Sequence, residues 1–396
     1  MTHFTFSKTN LKKYSIVYPR FNMSYLVTLE LEKLKKAIKA ITGKEPKLYP
    51  DDGKEHIYEI VVANAKRDDA PATPDGDGYV IVPVGCRLFA SGNKPHSSAA
   101  AVARLTSLIK KQNKLDSAVY GSYSEDIKSS KGYRLTWGDD FDGDEIDTSK
   151  WEIFYGDRLC YNKGVNDKKT CRCREDVPNT YVKDGKLNIC AVETDDTYYG
   201  GMLCTDGIMR YKYGYIEIST QHPKGLGFWT ALWMNGAPGK NGDYFAEIDV
   251  EECYGNGGDW AYGNTFAWPT KECKENKNGK LVHVNNKVSA KNDRGFFMDL
   301  HTFGFEWDEK KVTFTCDGFP YVTQDITQNP AEVEALNMPF FLRLSMALGF
   351  SSRGGITDSK EEWENTNRYI VDYVNIYQKP GQALYLGKDQ TEKIIK

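Results

Sequence analysis

The chain has 396 residues, 40% of them hydrophobic and 27% charged, with a net charge of -3. That balance gives no global attraction to nucleic acid or to anionic membranes, and no apolar run approaches the roughly 20 residues needed to cross a bilayer. The 25 Tyr, 18 Phe and 8 Trp are the unusual feature; so many flat, amphipathic faces suit a sugar-binding cleft, although a large β-core also consumes them.

The opening MTHFTFSKTNLKKYS lacks the apolar segment of a signal peptide. Either the protein stays inside, or a leader was removed; the expected location is extracellular. Residues 24–42 place Leu26, Leu29, Leu34, Ile38 and Ile41 on one helical face, with Ser24 as the cap and Gly43 as the stop. HIYEIVVAN and GYVIVPVGCRLFASG read as strands, and SSAAAVARLTSLIKKQ as a second amphipathic helix. These elements make a small α/β domain over 1–114, with no Gly-rich phosphate loop. The Ser-, Gly- and charge-rich stretch 115–132 reads as a linker.

From Tyr133 to about 380 strand signals dominate, with period-two alternation broken by Gly, Asn and Asp turns. In FFLRLSMALG, Phe340, Leu342, Leu344, Met346 and Leu348 form an apolar face, while Arg343, Ser345 and Gly349 take the other. KVTFTCDGFPYVT is a hairpin turning at Asp317-Gly318. The expected fold class is an all-β sandwich of two curved antiparallel sheets, preceded by the small α/β domain. Residues 381–396 read as a C-terminal tail.

Nine cysteines argue for an oxidising compartment. Eight of them, Cys160, Cys171, Cys173, Cys190, Cys204, Cys253, Cys273 and Cys316, allow up to four disulfides of undetermined pairing. Buried thiols acting as small apolar residues are the alternative, and the single residue between Cys171 and Cys173 is too short for a zinc knuckle.

The stretch AEIDVEECYG packs Glu247, Asp249, Glu251 and Glu252 together with no Lys or Arg to offset them. A solvated surface strand handles that charge badly. In a regular strand Glu247, Asp249 and Glu251 would share a face; a β-bulge after Asp249 would bring Glu252 there instead. Glycoside hydrolysis with retention needs two carboxyl groups about 5–5.5 Å apart, one as nucleophile and one as acid/base. A carboxylate between them would raise the proton affinity of one neighbour and hydrogen-bond the other.

The sequence resembles glycoside hydrolase family 16, the β-jelly-roll endo-glycanases, over about 133–378. Four blocks carry the resemblance in order: LTWGDDFDGDEIDTSKWE, YGYIEISTQHPKGLGFWTALWMNG, HTFGFEWDEKKVTFTCDG and YIVDYVNIYQ. Asp140 stands where the family motif has Glu, Ser219 where it has Arg, and Thr230 where it has Pro. Lichenase-like members read E-x-D-x-E and laminarinase-like members E-x-D-x-x-E, with a glycine three residues after the last Glu. Gly255 follows Glu252 by three, so the resemblance selects the bulged form. It implies Glu247 as nucleophile, Asp249 as its electrostatic helper and Glu252 as acid/base, with Glu251 on the other face.

The resemblance further implies that Trp229 and Trp233 occupy sugar-facing and core positions, and that Trp268 stays in the block Asn264-Thr-Phe-Ala-Trp268, where Ala267 replaces a histidine. Arg210 and Tyr215 are candidates to hydrogen-bond sugar hydroxyls, or else rim and structural residues. No cofactor is required. Many members hold a structural Ca2+, and Asp372 stands where a ligand is expected. The implied activity is a retaining endo-β-glycanase acting as a monomer on a polysaccharide, β-1,3-glucan or mixed-linkage β-glucan first. A galactan hydrolase, a transglycosylase and a non-catalytic glycan-binding protein are the alternatives. The N-terminal unit resembles the small α/β domain that precedes the barrels of hexosaminidases and α-glucuronidases.

Overall fold

A computed structural model describes residues 3–123, 131–155, 169–172, 178–194, 197–224, 227–236, 244–254, 260–269, 282–289, 299–348 and 367–396. Contacts divide the chain into two compact units, Met1–Leu135 with Cys316–Phe319, and Thr136–Thr315 with Pro320–Lys396.

The first unit is a six-stranded mixed sheet with two long helices. The helix Tyr25–Thr42 starts where Ser24 Oγ accepts the Leu26 amide and stops at Gly43, whose φ of 73° only glycine adopts cheaply. The second helix, Pro95–Lys111, opens on a proline whose missing N–H would have been unpaired there anyway. The sheet runs Leu48–Pro50, Ser15–Tyr18, Glu59–Val62, Arg87–Gly92, Gly78–Val84, Val119–Ser122. Its last strand corrects the expected linker: Val119–Ser122 pairs antiparallel with Gly78–Val84, so Tyr79 faces Gly121 and Ile81 faces Val119.

The second unit is two antiparallel sheets. One runs Thr180–Lys183, Lys186–Cys190, Arg368–Gln378, Gly214–Gln221, His301–Trp307, Lys311–Cys316, Phe319–Asp325. The expected hairpin is here; Asp317 and Gly318 have φ of 45° and 83°, the geometry of a two-residue turn matched to strand twist. The other runs Val282–Ser289, Trp260–Pro269, Tyr244–Tyr254, Phe228–Gly236, Phe340–Leu348, Met209–Lys212, Ala383–Leu386, Thr391–Ile394. Its last two strands correct the expected tail: the chain end adds a hairpin to the sheet edge, with Tyr211 facing Leu384 and Leu384 facing Lys393.

Alternation builds the core between these sheets. Phe340, Leu342, Leu344, Met346 and Leu348 are all buried, as are Ile216, Ile218, Phe303, Phe305, Val371 and Val374 from the facing sheet. The opening block of the unit is structural: Asp139 accepts the Trp151 indole N–H at 2.8 Å and the Phe141 amide at 3.2 Å. Cys86, Cys190, Cys204 and Cys316 carry free thiols, so they form none of the possible disulfides. The side chains of Cys160, Cys171, Cys173 and Cys273 lie outside the described residues. Among the described residues no helix is long and apolar enough to cross a membrane.

Candidate active site

Strand Phe228–Gly236 turns Trp229, Ala231, Trp233 and Asn235 to one face and Phe228, Thr230, Leu232 and Met234 to the core. Its neighbour Tyr244–Tyr254 keeps step at first, with Asn235 opposite Glu247, Met234 opposite Ile248 and Trp233 opposite Asp249. Then the ladder slips by one: Leu232 faces Glu251, and Ala231 faces Glu252. The same slip separates Asp249, opposite Asn264, from Glu252, opposite Tyr262. Val250 is the extra residue of a β-bulge, which re-aims the side chains beyond it. Glu252 therefore joins Glu247 and Asp249 on the face of Trp229 and Trp233, whereas Glu251 turns into the core.

Polar side chains then fix these carboxyls. Asn235 Nδ2 donates to Glu247 Oε2 at 3.3 Å. Glu252 accepts from Trp229 Nε1 at 2.9 Å and Tyr254 Oη at 3.1 Å on Oε1, and from Asn264 Nδ2 at 2.8 Å on Oε2. Arg343, opposite Trp233 on strand Phe340–Leu348, lays its guanidinium 4.6 Å from the Trp233 ring centre.

Crowding three acids in one dry patch separates their proton affinities. Burial pushes the Glu247 carboxyl up, and so does the Glu252 charge; the Asn235 amide and the Arg343 cation oppose them. Asp249 is pushed up furthest, by burial first and then by the charges of Glu252 and Glu247. The hydrogen bond that Asp249 shares with Glu252 pushes it the same way. One carboxyl kept neutral between two that exchange charge is the arrangement for splitting acid from nucleophile.

The residues expected to bind sugar fare differently. Trp229 turns its indole N–H to Glu252. Trp233 stays half-buried on the same face, donating to Ser345 Oγ at 3.0 Å. Arg210 reaches Phe341, 5.1 Å from its ring centre, while Asp206 holds its guanidinium at 2.7 Å. The side chain of Trp268 lies outside the described residues; its backbone continues the sheet opposite Phe245. Tyr215 is a correction: fully buried in the other sheet, it donates to Glu217 at 2.5 Å and cannot meet a sugar. Asp372 does not suit the expected Ca2+, because the Lys186 ammonium pairs with its carboxylate. Among the described residues no group of three or more His, Cys, Asp or Glu could hold a metal.

The sequence did not point to Asn235, Asn264, Tyr254 or Arg343 as partners of these acids. Arg343 was legible only as a polar position in an alternating strand, and the two asparagines gain meaning from cross-strand register alone.

Comparisons with known proteins bear on family and fold. The chain is 28% identical over 274 residues to glucan endo-1,3-beta-glucosidase A1 of Niallia circulans, covering 63% of this chain and 38% of that protein. It thus spans well under half the length of that curated relative. The laminarinase of Rhodothermus marinus superposes with a TM-score of 0.51 at 24% identity, covering 62% of this chain and 97% of that one, which shows a shared fold. The model of glycosyl hydrolases family 16 matches residues 168–375, and the chain belongs to that family.

Proposed function

We propose that this protein is a retaining endo-β-glycanase whose substrate is β-1,3-linked glucan. The observation that carries the reading is the Val250 bulge, which sets Glu252 beside Asp249 and Glu247 and leaves Glu251 behind. In this scheme the Glu247 carboxylate attacks the anomeric carbon, while Glu252 protonates the departing glycosidic oxygen. Glu252 then takes a proton from water, which releases the sugar with its configuration kept. Asp249 holds a proton between them and stabilises whichever neighbour is charged. Trp233 and the Arg343 cation lying on it offer an aromatic wall and hydrogen-bond donors to pyranose rings.

Support for β-1,3-glucan comes from the Niallia circulans relative, a glucan endo-1,3-beta-glucosidase. Location outside the cell and action as a monomer belong to the same proposal, and no step calls for a cofactor.

The test is digestion of laminarin, lichenan, agarose and carrageenan, with reducing ends counted and the new anomeric centre followed by proton NMR. Laminarin should be cut with the β-anomer appearing first, and both Glu247→Gln and Glu252→Gln should lose at least about a thousandfold in kcat. An α-anomer appearing first would overturn retention. Unchanged cleavage by Glu247→Gln would remove it as nucleophile, and transfer products without net hydrolysis would make the protein a transglycosylase.

A further inference from the structure

Behind the bulge lies a buried polar chain that the scheme above does not use. Glu251 is 1% exposed and His222, Thr230 and Tyr369 are equally enclosed. Where the ladder slips, the Leu232 amide is taken by Glu251 Oε1 at 3.2 Å. The same oxygen accepts the Tyr369 hydroxyl at 2.5 Å from the facing sheet. On the other side, Glu251 Oε2 lies 3.5 Å from His222 Nε2, and His222 Nδ1 lies 2.7 Å from Thr230 Oγ1. Thr230 Oγ1 in turn donates to the Cys253 carbonyl at 3.4 Å.

A protonated Glu251 accepts at Oε1 from the Leu232 amide and the Tyr369 hydroxyl, and Thr230 Oγ1 bonds His222 Nδ1 and donates to the Cys253 carbonyl. Among the described residues, Glu251 Oε2 and His222 Nε2 make no hydrogen bond. Glu251 therefore ties the offset before Glu252 to the neighbouring strand and to the facing sheet, while Thr230 separately holds the carbonyl after it.

From this geometry, and resting on the proposed roles of Glu247 and Glu252, we infer that Glu251, through the Leu232 amide and the Tyr369 hydroxyl, is a positioning residue that locks the bulge and so aims Glu252. It touches no substrate. A bulge is held in register by what pins its unpaired groups, and small misplacements of a catalytic group cost large factors in rate.

Burial accounts for the protonation: it pushes Glu251 up to about 8, the Glu252 charge adds to it, and the bonds from Tyr369 and Leu232 oppose it. Burial and then the neighbouring His301 hold His222 down to about 3. Facing Glu251, then, are Tyr369 from one strand, Thr230 and the Leu232 amide from another, His222 beyond the end of a third, and Glu252 beside it, with His301 behind His222.

The full-length protein tests this with Glu251→Gln and Glu251→Met. Glutamine is neutral like the protonated acid and keeps an oxygen that accepts from Leu232 and Tyr369; methionine fills the space and breaks both links. Two measurements are made, Leu232 amide hydrogen exchange and kcat with KM from about pH 5 to pH 9.5. Glu251→Met should speed Leu232 exchange and lower kcat, each about tenfold, with KM within about twofold. Glu251→Gln should restore both at neutral pH and hold kcat level beyond about pH 8, where the wild type declines. The clamp is overturned if Glu251→Met exchanges and turns over like wild type, or if Glu251→Gln is as damaged as Glu251→Met. Should Glu251→Met fail to fold, Glu251→Gln decides alone: normal exchange with a lost alkaline decline supports the clamp, and any other pattern removes it. Should the wild type cut no glucan, the functional reading falls while Leu232 exchange still judges the clamp.

Discussion

Trp229 and Glu252, 23 positions apart in the chain, meet through a 2.9 Å hydrogen bond from indole Nε1 to Oε1. The Tyr254 hydroxyl shares that oxygen, and the Trp229 and Tyr254 rings stand 5.4 Å apart. An indole expected to stack on sugar thus also orients the proposed acid/base. A hydrogen bond to a charged group contributes about 1.5–3 kcal/mol. Trp229→Phe keeps the ring and removes only the donor, so kcat should fall roughly tenfold to a hundredfold with KM changed far less. Steady-state kinetics on laminarin read this directly. A rise in KM alone would return Trp229 to a purely sugar-binding role.

Arg343 is the cation that works against burial at Glu247. Glu247 must be ionised to act as nucleophile, so anything raising its proton affinity moves the acid limb of kcat/KM to higher pH. Arg343→Gln withdraws the cation while keeping hydrogen-bonding capacity. The acid limb should shift upward, and activity near pH 5 should suffer more than activity near pH 7. A pH–rate profile with an unmoved acid limb would assign Arg343 to the Trp233 face alone, where it lies 4.6 Å from the ring centre.

Much of this site was legible in the residues. Alternation alone left Glu251 and Glu252 both able to join Glu247 and Asp249, and the resemblance, through Gly255 three beyond Glu252, implied the bulged form. Ser24 and Gly43 likewise marked a helix before any coordinates did. What could not be read is register. Asn264 holds Glu252 only because it lies two strand positions from Tyr262 across the bulge, a relation with no trace in local composition. The expected linker and tail failed for one reason: Val119–Ser122, Ala383–Leu386 and Thr391–Ile394 are short strands with mostly exposed or half-buried side chains. Their stability comes from the edges they complete, not from any hydrophobic pattern of their own. For Tyr215 the structural alternative holds, and alternation could not select it because it assigns faces without saying whether the second face is covered.

In the N-terminal unit, Glu59 is the hub of a buried ion network. It accepts Arg67 Nε at 2.8 Å, Arg87 Nε at 2.9 Å and the His56 amide at 2.7 Å. Burial pushes its carboxyl up, but the Arg67, His56 and Arg87 bonds outweigh that and hold it below the usual carboxylate range. Removing one partner of a buried pair leaves the other charges uncompensated, at about 3–5 kcal/mol. Glu59→Ala should destabilise the N-terminal unit by that order in urea unfolding. Because no residue of this network belongs to the cleft, kcat of the folded fraction should stay within about twofold. Unchanged unfolding would mean that the arginines find equivalent partners in Asp51, Asp69 and Glu55, which already share them.

Glu251 and His222 make opposite demands on stability as pH changes, and their windows overlap. Glu251 is raised from about 4.3 unfolded to about 8 folded, so between those values the folded state holds the extra proton and stability falls as pH rises. His222 is lowered from about 6.5 to about 3, so across that window the unfolded state holds the extra proton and stability falls as pH drops. From about pH 4.3 to 6.5 the two slopes, each about 1.4 kcal/mol per unit, cancel. Above about 6.5 only Glu251 acts and stability should decline until about pH 8; below about 4.3 only His222 acts and stability should decline again. Asp249 and Glu247 are also raised and add slopes of the same sign as Glu251, so the comparison with Glu251→Gln isolates the one residue. That variant carries no titrating group there: it should hold its stability between about pH 6.5 and 8 better than wild type by roughly 1.4 kcal/mol per unit. In the range 4.3–6.5 it should lose the cancellation and weaken as pH falls. Urea unfolding at half-unit pH intervals measures both slopes, and parallel curves for the two proteins would mean that Glu251 enters the core already ionised.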